Sequence, residues 1–138
     1  MTGSLTDYQE EKLLKHLFGI ASLTPLGTIH VGVCTGGVTE GGVITGEPTD
    51  AAYARVAVTN NGTYWTFSQV AGLSKIVNAA DIVFPTASAS WGTLTTVFLA
   101  DAATDGNVLG FITLDESKAI GTNDVFKLLA GALAVTLN

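Results

Sequence analysis

The residues with which this chain could do chemistry are two histidines, one cysteine and a scatter of acids and serines, and their spacing argues against catalysis. His16 falls in a predicted helix and His30 in a predicted strand, and neither stands at a metal-ligand spacing from the other or from Cys34. Each reads as an ordinary surface or core histidine. No G-x-S-x-G elbow is present, and Ser68, Ser74, Ser88 and Ser90 have no histidine nearby in sequence. The glycine-rich stretch Thr35–Pro48 (TGGVTEGGVITGEP) invites a phosphate-binding reading. However, no Lys-Ser or Lys-Thr pair follows it and no helix starts after it, so it reads as a flexible surface loop. Asp101–Gly106 resembles half of a calcium loop. Ala103 occupies the third ligand position and Ile112 stands where a bidentate acid is needed, so a turn is the simpler account. The remaining acids are dispersed and define no carboxylate pair facing a cleft. The reading is of a protein without catalytic residues, cofactor or metal.

Aromatic residues offer a binding chemistry instead. Tyr64, Trp65 and Phe67 cluster, and Trp91 precedes Gly92. Exposed Tyr and Trp on a β scaffold can stack on sugar rings. Strand alternation, however, places Trp65 and Phe67 on the opposite pleat from Tyr64, and Trp91 is expected to plug one end of the core. The alternative to a purely structural role is therefore a receptor- or carbohydrate-binding module using Tyr64, Trp65 and the 36–48 loop.

Charge narrows the partners. The chain has 138 residues, 47% hydrophobic and 13% charged, with a net charge of −6. Lys12, Lys15, Arg55, Lys75, Lys118 and Lys127 are scattered and form no basic stripe, which argues against nucleic-acid binding. So little charge means a surface rich in Thr, Ser, Asn and Gly, or apolar surface covered by partners. No apolar run is long enough for a membrane span, and the first residues lack the pattern of a secretory signal. The expectation is a protein made in the cytoplasm that stays soluble or assembles there. Cys34, alone, lies in a strand pattern and reads as a buried thiol.

The elements that must carry these residues begin with a helix over residues 6–18. Thr6 and Gln9 fit a capping box, acids come early, and Lys12, Lys15 and His16 come late. Leu13, Leu14, Leu17 and Phe18 make one apolar face, and Gly19 supplies the stop. That face must cover something apolar, either the chain's own sheet or a neighbouring subunit. After Pro25 the period changes from helix to strand. Ile29, Val31 and Val33 alternate with Thr28, His30 and Gly32, Tyr53–Thr59 follows, and Asn61-Gly62 predicts a hairpin into Tyr64–Phe67. Short strands continue at Lys75–Val77, Asp81–Phe84, Thr93–Leu99, Val108–Leu114 (broken by Asp115 and Glu116), Asp124–Leu128 and Ala132–Leu137. This pattern is mainly β: one domain over residues 1–138, an antiparallel, jelly-roll-like β-sandwich of about eight strands with one N-terminal helix. Arg55 sits on an outer pleat, either bidentate with an acid such as Asp101 or free in solvent.

The order of pieces resembles a known family. It runs from the Leu5-Thr6-Asp7-Tyr8 helix, through Tyr53-Ala54-Arg55, to Phe84-Pro85-Thr86-Ala87 and Ser90-Trp91-Gly92-Thr93. Phe98-Leu99-Ala100-Asp101-Ala102 and Ala130–Leu137 complete it. The chain is similar, from about Leu5 to Asn138, to small tailed-bacteriophage virion proteins usually labelled tail fibre proteins. It departs from them between Thr59 and Gly72, which is richer in aromatics. The resemblance implies a non-enzymatic virion protein on the particle's outer surface, either a small tail-fibre-type component or a capsid decoration (cement) protein. Such a subunit would be a homo-oligomer, a trimer, contacting itself and other capsid or tail proteins. The residues expected at those contacts are Leu13, Leu14, Leu17, Phe18, Arg55, Tyr64 and Trp65.

Overall fold

The computed structural model describes residues 2–137. It is mainly β with one helix. Strand β1 (Thr2–Leu5) leads straight into helix α1 (Asp7–Leu17), and nine strands follow. They are β2 (Thr28–Cys34), β3 (Val56–Thr59), β4 (Trp65–Val70), β5 (Leu73–Asn78), β6 (Ile82–Val83), β7 (Gly92–Ala100), β8 (Val108–Ile120), β9 (Lys127–Leu128) and β10 (Ala134–Leu137). Eight of the ten strands form one sheet in the order β3-β2-β7-β8-β1-β10-β5-β4, while β6 and β9 pair separately.

The sheet curls, because residues from both of its edges share one core. Val58 on β3 and Trp65 on β4 pack in the same cluster as Leu94 and Val97 on β7, Ile112 on β8 and Leu133 before β10. Ile82, Phe84, Trp91, Phe126 and Leu128 close that core from the side of the small β6–β9 ladder. Trp91 does plug it: the indole meets Tyr53 edge-on at 5.2 Å and Phe84 at 6.4 Å. Its Nε1–H donates to Asp50 Oδ2 at 2.9 Å, so the one polar atom of the ring is satisfied.

Several local expectations differ from the structure. The sheet is antiparallel except at one junction, where β1 runs parallel to β10 while pairing antiparallel with β8. A strand from the chain start fills the slot between the two halves of the sheet, so its direction is not set by a hairpin. Asn61-Gly62 does not close a hairpin. β3 pairs with β2 and β4 with β5, so this turn links the two opposite edges of the curled sheet. Asp115 and Glu116 do not end β8. The strand runs on to Ile120, and a register shift between Leu94 and Thr96 of β7 absorbs the extra residues.

The glycine-rich stretch is folded rather than loose. Thr35 and Gly36 N–H donate to the carbonyls of Gly46 and Thr45, and Val38 bridges Ile44. Val38 and Ile44 then cover a second small core of Cys34, Phe98, Ala100 and Val108 on the outer face of the sheet. That is why β2, expected to be half-buried, is covered on both faces over Val31–Cys34. Cys34 is fully buried there, and burial pushes its thiol pKa up. The Asp105-Gly106 turn into β8 has both residues in the left-handed region, with φ of 52° and 70°.

Candidate assembly surface

Helix α1 is anchored at its start and free along one side. Thr6 is fully buried, and its hydroxyl does not cap the helix. Oγ1 instead donates to the Val108 carbonyl at 2.6 Å, and Thr6 N–H donates to the Leu109 carbonyl at 2.9 Å. The expected capping box is therefore replaced by a bond to β8: β1 is itself a sheet strand, and it delivers Thr6 into the sheet with its side chain already committed. Asp7 N–H finds the Glu40 carbonyl of the glycine-rich lobe at 2.9 Å. The helix thus leaves the sheet at a fixed point, between β8 and that lobe.

The side of α1 turned toward the chain is its polar one. Tyr8, Lys12 and His16, one helical turn apart, line a crevice of about 400 Å³ with Leu23, Pro25 and Leu26. Lys12 lies 4.9 Å over the Tyr8 ring, and His16 Nδ1 accepts from Leu23 N–H at 3.1 Å. Lys15 pairs with Glu11 along the helix, which holds the Glu11 carboxyl below its usual pKa. The apolar stripe consequently faces away. Leu13 is half-buried, but Leu14, Leu17 and Phe18 are 58%, 73% and 73% exposed, and no helix residue is buried. Ile20, just past the end, is exposed as well. Burying a side chain of this size stabilises by about 1.5–3 kcal/mol, so the exposure leaves a substantial unsatisfied driving force.

The other residues predicted for contacts fall elsewhere. Arg55 is only 8% exposed and lies inside the chain. Its guanidinium grips Glu47 through Nε to Oε1 at 2.8 Å and Nη2 to Oε2 at 2.9 Å. Nη1 donates to the carbonyls of Ala102 and Asp105 at 2.8 and 2.9 Å, and Cζ lies over the Phe98 ring, 5.0 Å from its centroid. The bidentate pair is real, but its acid is Glu47 at the end of the glycine-rich lobe, and Asp101 instead accepts from Asn107. Glu47 also receives the Tyr53 hydroxyl at 2.9 Å, and burial raises that phenol's pKa. This cluster ties together the lobe, the segment leading into β3 and the β7–β8 turn.

Trp65 is 8% exposed in the core, with no hydrogen-bond partner for Nε1 among the described residues, whereas Tyr64 beside it is exposed. The two rings do not form a common stacking face. Among the described residues, no group of three or more His, Cys, Asp or Glu is placed to hold a metal ion, and no helix is long and apolar enough to cross a membrane. Sequence reasoning missed the outer edge of β4, where Phe67 and Val70 are largely exposed. The absence of charge from Trp65 to Val70 was the available signal.

Residues 4–136 match a family model described as Podophage GP4 fiber I protein gp80. No curated protein matches the chain.

Proposed function

The chain belongs to the Podophage GP4 fiber I protein family, and from that membership we propose that it is a fibre-type subunit on the outside of the virion, working by subunit contact rather than catalysis. The observation that carries the contact is the reversed helix. Leu14, Leu17 and Phe18 point outward while Tyr8, Lys12 and His16 face the chain's own crevice. A helix on a soluble domain ordinarily turns its apolar stripe inward. Here Leu13, Leu14, Leu17 and Phe18 become the core of a homo-oligomeric, trimeric interface, with other virion proteins meeting the assembled particle. The family description supports a fibre placement over capsid decoration. Of the two aromatics in the glycan-binding alternative, which also drew on the 36–48 loop, only Tyr64 is at the surface, since Trp65 is enclosed.

Light scattering on purified protein tests this. The expected mass is three chains or a multiple of three, and Leu17→Asp is expected to abolish that threefold stoichiometry while leaving the unfolding free energy of the single chain within about 0.5 kcal/mol, as for surface changes generally. A monomeric wild type, or an unchanged mass for Leu17→Asp, overturns the helix contact. Fluorescent subunit that binds undecorated heads and not tails overturns the fibre placement.

A further inference from the structure

Strand β4 is an open sheet edge of uncommon composition. Trp65–Val70 reads Trp-Thr-Phe-Ser-Gln-Val, without a charge, proline or glycine. Natural edge strands are usually blunted by charges, proline or brevity. The ladder shows which backbone groups face outward. Ala79 N–H donates to the Tyr64 carbonyl, and the register continues as Thr66↔Val77, Ser68↔Lys75 and Val70↔Leu73. Even-numbered residues of β4 therefore exchange their hydrogen bonds with β5. Trp65 and Asn78, which are register partners, do not bond to each other. Trp65 N–H turns to the Asn61 carbonyl and Asn78 N–H to the Leu133 carbonyl. By the same alternation, the N–H and C=O groups of Phe67 and Gln69 point out from the edge. Among the described residues no backbone group meets them.

The opposite edge is not equivalent. β3 spans only Val56–Thr59, its Thr59 carbonyl already accepts from Asn61 N–H, and Tyr64, Ala80 and Ile82 line a crevice along it. A head-to-tail ring through β3 and β4 would need both edges open. With one open edge, the contact that closes is isologous.

We propose that β4 pairs antiparallel with β4 of a second copy of this chain, across a two-fold axis at Ser68. Phe67 of each copy exchanges N–H···O bonds with Gln69 of the other, which uses all four outward groups of each strand segment. A register centred on Phe67 would instead require Trp65 N–H, which Asn61 already holds. The two Phe67 rings become diagonal neighbours, about 7–8 Å apart and within aromatic reach. No like charges are forced together. The nearest cations, Lys75 and its copy, lie three strand spacings apart, about 14 Å, beyond a Debye length of about 8 Å in physiological salt. This contact does not use the helix face, so it would join one helix-based oligomer to another.

Ser68→Cys reads the axis directly. Opposed residues at a non-hydrogen-bonded position have Cα atoms about 4.5 Å apart, inside the disulfide range of about 4.4–6.8 Å. Mild oxidation should convert most of the variant to disulfide-linked dimer, and Cys34, fully buried, contributes no background. Thr66→Cys, whose copy would lie about 14 Å away, should give none. Gln69→Pro, which removes an outward N–H and no β5 ladder bond, should abolish the dimer while circular dichroism stays unchanged. Should that variant fail to fold, the cysteine pair still decides. Absence of a Ser68→Cys dimer, or equal yield from Thr66→Cys, overturns the proposal. Cross-linking that persists in a Leu17→Asp background supports β4 pairing whether or not the helix contact stands. If Leu17→Asp dissolves the oligomer and Ser68→Cys stays reduced, the helix contact survives and the β4 contact falls.

Discussion

The ring of Phe98 occupies the space a side chain at Gly32 would need: a β carbon on Gly32 would lie 2.2 Å from Phe98 Cζ. The two residues are register partners on neighbouring strands, and the tip of the ring lies against the bare backbone while Arg55 Cζ sits 5.0 Å from the ring centroid. Gly32→Ala should therefore destabilise the fold by about 2–3 kcal/mol through overpacking, although alanine suits a strand at least as well as glycine. Replacing the ring in the same chain, as Gly32→Ala with Phe98→Leu, should recover part of that loss. Urea denaturation of the two single variants and the double gives the coupling, expected at about 1 kcal/mol or more for residues in contact. Strict additivity would show that the ring does not cover Gly32.

Arg55 and Glu47 should behave as a fork and its grip, not as a pair of charges. The Arg55 side chain is 3% exposed and that of Glu47 26%, and the guanidinium also serves two carbonyls. Removing one partner of such a pair leaves the other without compensation, so Arg55→Ala should cost about 3 kcal/mol in denaturant midpoint experiments. Arg55→Lys keeps the charge but has no planar fork for both carboxylate oxygens and both carbonyls. It should recover less than half of the loss. Full rescue by lysine would mean that charge alone matters here.

Asp50 makes the fold sensitive to acid. Its carboxylate accepts from the Ser88 hydroxyl, from Trp91 Nε1–H and from the backbone N–H groups of Ser88 and Ala52. The Ser88 hydroxyl contributes most, with the indole next, and together they hold the carboxyl far below its ordinary pKa. A pKa lowered in the folded state means that this stabilisation is complete above the unfolded value, about 4, and is lost as pH falls below it. Asp50→Asn should thus flatten the dependence of the unfolding midpoint on pH below about 4. Trp91→Phe should flatten it partly, since the hydroxyl and amide donors remain. A slope in Asp50→Asn equal to that of the wild type would assign the acid sensitivity to other carboxylates.

Where local periodicity decides conformation, the sequence was readable. Leu13, Leu14, Leu17 and Phe18 mark the helix face, the Val/Ile alternation marks β2, and a tryptophan beside glycine marks the core plug. What could not be read depends on partners distant in sequence. β1 has no alternation of its own, because Thr2–Leu5 is held by β8 and β10 on its two sides and not by a buried face. The acid for Arg55 was misassigned because Glu47 comes within reach only once the 35–48 lobe folds back over Phe98. The direction of the helix face, toward the chain or away from it, is set by where Thr6 leaves the sheet. No helical period contains that information.

Thr6 offers the sharpest contrast between local and long-range readings. It occupies the N-cap position of α1, where Asp and Asn are as good as threonine or better in an isolated helix. If the hydroxyl capped the helix, Thr6→Asp would be neutral or stabilising. In the structure the side chain is fully buried and donates to the carbonyls of Val108 and Leu109, at 2.6 and 3.3 Å. An aspartate there has no proton to donate and would place its charge against carbonyl oxygens, so Thr6→Asp should cost several times the roughly 1 kcal/mol typical of a cap change. Thr6→Val, close in shape but without the donor, should cost about 1–3 kcal/mol for leaving a buried acceptor unmet. Thr6→Ser keeps the donor and should lose only the methyl packing, about 1 kcal/mol. Thermal unfolding of the three variants should rank them Ser above Val above Asp, and an aspartate variant as stable as the wild type would restore the capping box.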